Sequence, residues 1–184
     1  ETSKPLLSVE HLSIQFGGLK AVSDVCMELG NGDLCGLIGP NGAGKTTLFN
    51  LLTGVYVPTE GAVIFDGQRL NKLAPYRITR KGLCRTFQNI RLFGELSVID
   101  NVKVAYHSQA NHSMISSILR LPGHFKGERI IEEKALELLE IFNLHPYKDE
   151  KAKNLPYGMQ RRLEIARALA GKPRLLLLDE PAAG

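Results

Sequence analysis

Residues 39–46 read Gly39-Pro40-Asn41-Gly42-Ala43-Gly44-Lys45-Thr46. Successive backbone N–H groups turn toward one point only where small residues accept unusual dihedrals, and Gly42 and Gly44 supply that freedom. The preceding residues 33–38 carry the apolar run Leu34-Cys35-Gly36-Leu37-Ile38, which predicts a short strand buried on both faces. Behind the loop, Leu48, Leu51 and Leu52 fall at helical spacing, and Gly54 predicts the stop. Strand, glycine-rich turn and helix in that order suit a loop that wraps a polyphosphate. The helix N-terminus adds partial positive charge. Lys45 is placed to reach the β- and γ-phosphates, and the Thr46 hydroxyl suits Mg²⁺, a hard cation that prefers oxygen. Thr47 completes the predicted phosphate-binding set, and ATP with Mg²⁺ is the expected ligand.

The rest of the chain extends an α/β reading with a mostly parallel sheet. Residues 6–15 and 20–29 predict an antiparallel strand pair joined at Phe16-Gly17-Gly18. Val63-Ile64-Phe65 and then Asp66-Gly67 predict a strand and a turn, and 82–87 another short strand. From about residue 95 the period becomes helical. Ser97-Val98-Ile99-Asp100 has the form of a capping box with Ser97 as N-cap. In 128–143, Ile131, Ala135, Leu138, Leu139 and Phe142 share one face. Residues 108–127 predict an irregular stretch or a short helix, and 158–170 a further helix. Leu175-Leu176-Leu177-Leu178 predicts a fully buried parallel strand ending at Asp179-Glu180.

The expected organisation is one domain over 1–184, with a nucleotide-binding core in 1–88 and 166–184 and a helical subdomain in 89–165. The chain opens at Glu1 without a methionine and closes at Gly184 directly after the acidic motif, so the reading expects a C-terminally truncated domain.

Composition excludes some partners. Net charge is +4, with lysines and arginines scattered, and Trp is absent. Both features argue for a mixed solvated surface and against a base-stacking nucleic-acid site. Cys26, Cys35 and Cys84 are odd in number, lack CxxC spacing and sit among apolar neighbours, so they are expected as small buried hydrophobes rather than as a metal site or a disulfide. No apolar run approaches the roughly 18 residues that span a membrane, and no signal-peptide pattern opens the chain, so a cytosolic location is expected.

Asp179, at the end of a buried strand, suits a water-mediated hold on Mg²⁺. Glu180 beside it suits a general base that polarises the attacking water.

In the order of these motifs the chain resembles the nucleotide-binding subunits of ABC transporters across nearly its whole length. The resemblance makes Phe16 the aromatic that stacks on adenine. It makes Gln88, in Arg85-Thr86-Phe87-Gln88, the glutamine that contacts metal or water and relays to a membrane partner. It makes Leu155-Pro156-Tyr157-Gly158-Met159 the signature that meets the γ-phosphate of an opposite subunit. The runs Arg85 to Phe93, Tyr157 to Arg167 and Asp179 to Gly184 look most like the ATPases of branched-chain amino-acid importers; urea-type and lipopolysaccharide-type ATPases share part of this wording. A soluble ABC ATPase without a membrane partner, and a regulatory subunit that binds nucleotide without hydrolysing it, are the rival readings.

The resemblance implies a P-loop NTPase fold with catalytic Glu180, Lys45 and Gln88 and metal contacts at Thr46, Gln88 and Asp179. It also implies a second ATPase subunit, permease subunits, a substrate-binding protein reached through them, and a peripheral position on the cytoplasmic face of the inner membrane. One departure stands out. Pro156 replaces the family's usual signature serine and donates from neither side chain nor backbone. The family's D-loop and switch histidine would lie beyond Gly184, so the 184-residue chain alone is expected to hydrolyse ATP barely at all.

Overall fold

The computed structural model describes residues 4–86, 92–110 and 123–179. The chain divides into two compact units, 1–84 and 85–184.

The first unit is built on alternation. Leu7, Val9, Leu12 and Ile14 are buried on β1 (Leu7–Phe16), which pairs antiparallel with β2 (Leu19–Leu29). Gly17 and Gly18, both at positive φ, make the turn between them. The sheet is larger than the expected pair. β3 (Glu60–Phe65) adds antiparallel to the other edge of β1, and β4 (Gln68–Arg69) follows β3 through a turn with Asp66 and Gly67 at positive φ, giving the order β2-β1-β3-β4.

The β1–β2 pairing shifts register three times, at Val9/Leu12, Leu12/Ile14 and Ile14/Gln15, and the first two shifts matter most here. Between Val9 and Leu12, β1 carries one residue more than β2; between Leu12 and Ile14, β2 carries the extra residue. His11 and Asp24, at φ 47° and 51°, occupy these bulges, and Glu10 and His11 both face solvent where strict alternation would bury one. β3 accommodates the first bulge at Gly61, φ 86°, where a Cβ would stand 2.3 Å from the His11 carbonyl oxygen.

α1 (Lys45–Leu52) buries Leu48, Leu51 and Leu52, and the chain leaves it through Gly54 at positive φ, as the spacing predicted. α2 (Pro75–Arg80) begins with proline at N1 and buries Ile78. The expected strand over 33–38 does not form. β2 ends at Leu29, the Gly30 N–H donates to the Asp33 carboxylate at 2.7 Å, and the run beyond adopts no regular secondary structure. Leu34 and Ile38 are almost completely exposed. A doubly buried strand needs a neighbour on each edge, and no described residue pairs with this run.

The cysteine expectation fails at two of three positions. Cys35 lies on the exposed run, and Cys26 lies on the solvent side of β2; Cys84 is half-buried, and burial raises its thiol pKa. Apolar neighbours in sequence do not bury a residue on a strand, because adjacent side chains face opposite ways.

The second unit is helical. Ser97 caps α3 (Val98–Ala110): its Oγ accepts from the Asp100 N–H at 3.1 Å, and its hydroxyl donates to the Asp100 carboxylate at 2.7 Å. α3 packs on α4 (Gly123–Ile141) and on α5 (Tyr157–Ala170), and α4 packs on α5. Val98, Val102, Ala135, Leu139, Leu144, Leu163 and Ala166 form the core, with Leu138 and Phe142 packed against it. Burying a side chain such as Leu139 contributes about 1.5–3 kcal/mol. Within the stretch expected to be irregular, residues 111–122 lie outside the described residues. The last residue of β5 (Leu83–Arg85) belongs to this unit, where it lies in a two-stranded sheet with β6 (Leu175–Leu177). That strand is less enclosed than expected: only Leu177 and Asp179 are buried, because a two-stranded sheet covers few side chains.

Candidate phosphate-binding loop and acidic strand end

The loop stands in the first unit. Its turn closes with the Ala43 N–H donating to the Pro40 carbonyl at 3.2 Å, and α1 opens with the Leu48 N–H donating to the Gly44 carbonyl. Gly42 and Gly44 lie at φ 83° and 87°. Gly44 is required twice over, since a Cβ there would also stand 2.6 Å from the Ala21 carbonyl oxygen of β2. The Lys45 ammonium folds back over the loop and donates to the Gly39 carbonyl at 2.5 Å and the Pro40 carbonyl at 2.9 Å. Asn41, Gly42, Ala43 and Thr46 are exposed, and Thr47 is half-buried. Phosphate oxygens are acceptors that this ammonium can take in exchange for the two carbonyls.

Phe16, the expected adenine-stacking residue, ends β1 and is 44% exposed. Tyr56 meets it edge-to-face at 5.2 Å between centroids, a partner the sequence did not flag.

Asp179 stands in the second unit and is held from three sides. Arg85 donates to its carboxylate at 2.6 Å, with both side chains about nine-tenths buried. The Asp179 N–H donates to the Thr86 hydroxyl at 3.4 Å, and the Arg161 guanidinium donates to its backbone carbonyl. Arg161 also pairs with Glu164 at 2.5 Å, both buried. These contacts tie the acidic strand end to α5, the helix of the signature. In the sequence, Arg85, Thr86, Arg161 and Glu164 carry no signal of this role beyond lying within the motifs around Gln88 and the signature.

Pro156 is the N-cap of α5, at φ −54° and ψ 150°, and no side chain caps that end. Its carbonyl accepts from the Met159 and Gln160 N–H groups at 2.9 and 3.0 Å. Leu155 is buried as an anchor, while Tyr157 and Gly158 are exposed. A Cβ on Gly158 would meet nothing within 4 Å, so neither backbone angle nor packing demands glycine there.

The segment before α3 is fixed by buried Asn101. Its amide donates to the Phe93 and Ser97 carbonyls at 3.0 and 2.9 Å, and its side-chain oxygen accepts from the Phe93 N–H at 2.9 Å. The Phe93 ring lies 5.3 Å from the Arg167 guanidinium; burial pulls the pKa of this arginine below its usual value. Gln88 and Glu180, expected to carry catalysis, lie outside the described residues. The loop and Phe16 belong to one unit, Asp179 and the signature to the other, and each group is assembled within its own unit.

Comparison with known proteins adds three findings. The family model described as ABC transporter matches residues 22–183. The chain is 46% identical over 182 residues to the high-affinity branched-chain amino acid transport ATP-binding protein BraF of Pseudomonas aeruginosa. It is 47% identical to LivG of Escherichia coli K12, which bears the same description, and in both cases the match covers 99% of this chain and 71% of the relative. The solved structure of MJ1267, an ATP-binding cassette of an ABC transporter, superposes with a TM-score of 0.79 at 32% identity, covering 99% of this chain and 71% of that one. The fold is that of a P-loop NTPase cassette, with N-terminal antiparallel strands and a helical insertion. A family match through most of the length, near-half identity to transport ATP-binding proteins and a shared backbone with a solved cassette together place it: the chain belongs to the ABC transporter family.

Proposed function

We propose that this chain is the ATP-binding and ATP-hydrolysing subunit of an importer for branched-chain amino acids. The observation that carries the reading is the 46–47% identity, over 99% of the chain, to two ATP-binding proteins of high-affinity branched-chain amino acid transport. The preformed loop around Lys45 supports the chemistry.

Each residue has a role in this reading. The loop from Gly39 to Thr47, whose residues other than Pro40 each carry a backbone N–H, wraps the phosphates with the Lys45 ammonium, and Phe16 with Tyr56 offers the base an aromatic surface. Thr46 would offer Mg²⁺ a hard hydroxyl oxygen and Asp179 would hold the ion through water, with Gln88 as the further metal contact that the family resemblance implies. Mg²⁺ supplies charge neutralisation on the transferring phosphoryl group, and Lys45 adds to it. Glu180 orients the attacking water and accepts its proton. Leu155 to Met159 present the uncapped end of α5 to the γ-phosphate of a second ATPase subunit. Permease subunits, reached through the segment from Gln88 to Glu95, hold the chain peripherally at the cytoplasmic face of the membrane, and a substrate-binding protein delivers the cargo.

The test is Lys45→Ala in the complete protein assembled with its permeases. ATP hydrolysis and leucine uptake should both vanish. Hydrolysis near the wild-type rate would sink the site assignment. Lysine-dependent hydrolysis stimulated by urea or a lipid, and indifferent to leucine, would sink the substrate assignment alone.

A further inference from the structure

The first two register shifts of the β1–β2 ribbon bring together three side chains that the nucleotide chemistry does not use. An imidazole nitrogen of His11, a carboxylate oxygen of Asp24 and the Sγ of Cys26 all lie within 4.8 Å of one another, and all three residues are exposed. The His11 Nδ1 is 2.7 Å from the Asp24 carboxylate, and the His11 backbone N–H donates to the Cys26 sulfur at 3.2 Å. We propose that His11, Asp24 and Cys26 form a zinc-binding site on the outer face of this ribbon.

The donor set selects the metal. Imidazole, thiolate and carboxylate are the three side-chain ligands zinc takes, at about 2.0–2.3 Å in tetrahedral geometry. Tetrahedral bonds of that length separate ligand atoms by roughly 3.3–3.7 Å, so the site closes by side-chain rotation without moving a strand. A thiolate excludes Mg²⁺ and Ca²⁺, which take oxygen. The fourth position faces solvent and takes water. Coordination releases the Cys26 thiol proton to the buffer.

The backbone is arranged for the same convergence. His11 and Asp24 hold positive φ in opposite strands, a conformation both residue types tolerate better than most. The Asp24 N–H donates to the Ser13 hydroxyl at 2.9 Å, which fixes the second bulge. Glu10 and Glu28 line the same shallow depression as His11 and Cys26, and the residues that line it include no lysine or arginine. Zinc would bridge β1 to β2 and add a cross-strand tie.

The test is titration of the nucleotide-free chain with Co²⁺, which reports thiolate coordination as a near-ultraviolet charge-transfer band and tetrahedral geometry as intense visible bands. One equivalent should bind, be displaced by Zn²⁺ and release a proton. Cys26→Ser should abolish the charge-transfer band, while Cys35→Ser and Cys84→Ser leave it. His11→Ala and Asp24→Ala should each weaken Co²⁺ at least about tenfold. A band that survives Cys26→Ser, or a weak octahedral spectrum without thiolate character, overturns the proposal. All three side chains are exposed, so circular dichroism of the variants should match the parent; Cys26→Ala provides a second test if Cys26→Ser misfolds.

Discussion

The Arg85 guanidinium and the Asp179 carboxylate, 94 residues apart in sequence, meet at 2.6 Å with little solvent on either side. Removing one member of a buried ion pair strands the other charge, which typically costs about 3–5 kcal/mol. Arg85→Ala should therefore lower the free energy of urea unfolding by about that amount. Arg85→Lys should restore part of it, since the charge stays and the planar fork is lost. Equal unfolding midpoints for Arg85→Ala and the parent would show the pair to be idle.

Gly44→Ala should be damaging for two separable reasons. The αL conformation costs a non-glycine residue roughly 1–2 kcal/mol, and the new Cβ would press on the Ala21 carbonyl at 2.6 Å. The expected outcome is a loss of ATP-induced thermal stabilisation, larger than for Gly42→Ala, whose Cβ meets nothing within 4 Å. Comparing the two variants by thermal shift, with and without ATP, isolates the contact from the shared dihedral.

Gly158 separates folding from function. With no atom within 4 Å of a Cβ there and an ordinary helical setting, Gly158→Asp should unfold at the parental urea concentration within about 0.5 kcal/mol. In the assembled transporter the same change should lower ATP hydrolysis at least about tenfold, because the aspartate would stand with its charge where the γ-phosphate of a second subunit is proposed to sit. Undiminished hydrolysis would remove α5 from the composite site.

Acid should loosen the tie between Glu95 and its two lysines only below the ordinary carboxylate range. Glu95 pairs with Lys153 at 2.6 Å and Lys151 at 3.0 Å, and these hydrogen bonds, Lys153 first, hold its carboxyl below the usual carboxylate range. A depressed folded-state pKa means the stabilisation is complete above the unfolded carboxylate pKa and disappears as pH falls through the folded one. Amide exchange at Lys153, whose N–H donates to the Gly94 carbonyl, should quicken only below the ordinary range, and Glu95→Gln should flatten that dependence.

Local features of the sequence were read well. The Phe16-Gly17-Gly18 turn, the start of α1 at Lys45, the Ser97 cap and the Tyr157–Ala170 helix depend on residues within one or two turns of each other, so their spacing carries the information. Burial was read poorly where it depends on partners far along the chain. The run over 33–38 has the composition of an inner strand and no described partner, and Cys26 and Cys35 share its exposure. The same distance hid the supports of Asp179. Arg85 and Arg161 look like surface cations within motifs, and only the fold shows them buried against one aspartate. Asn101 left no signal at all, because a helical asparagine is ordinary until its three loop contacts are seen.

The Lys45 ammonium resting on the Gly39 and Pro40 carbonyls bears on how fast nucleotide is captured. The amine braces the loop from within, so the turn is held by the chain's own contacts and ligand entry orders little further chain. Encounter then becomes an exchange of acceptors rather than a folding event, and most of the entropic loss has been met during folding of the unit. Association should follow collision frequency and ionic strength, while affinity is set mainly by how long the phosphates stay.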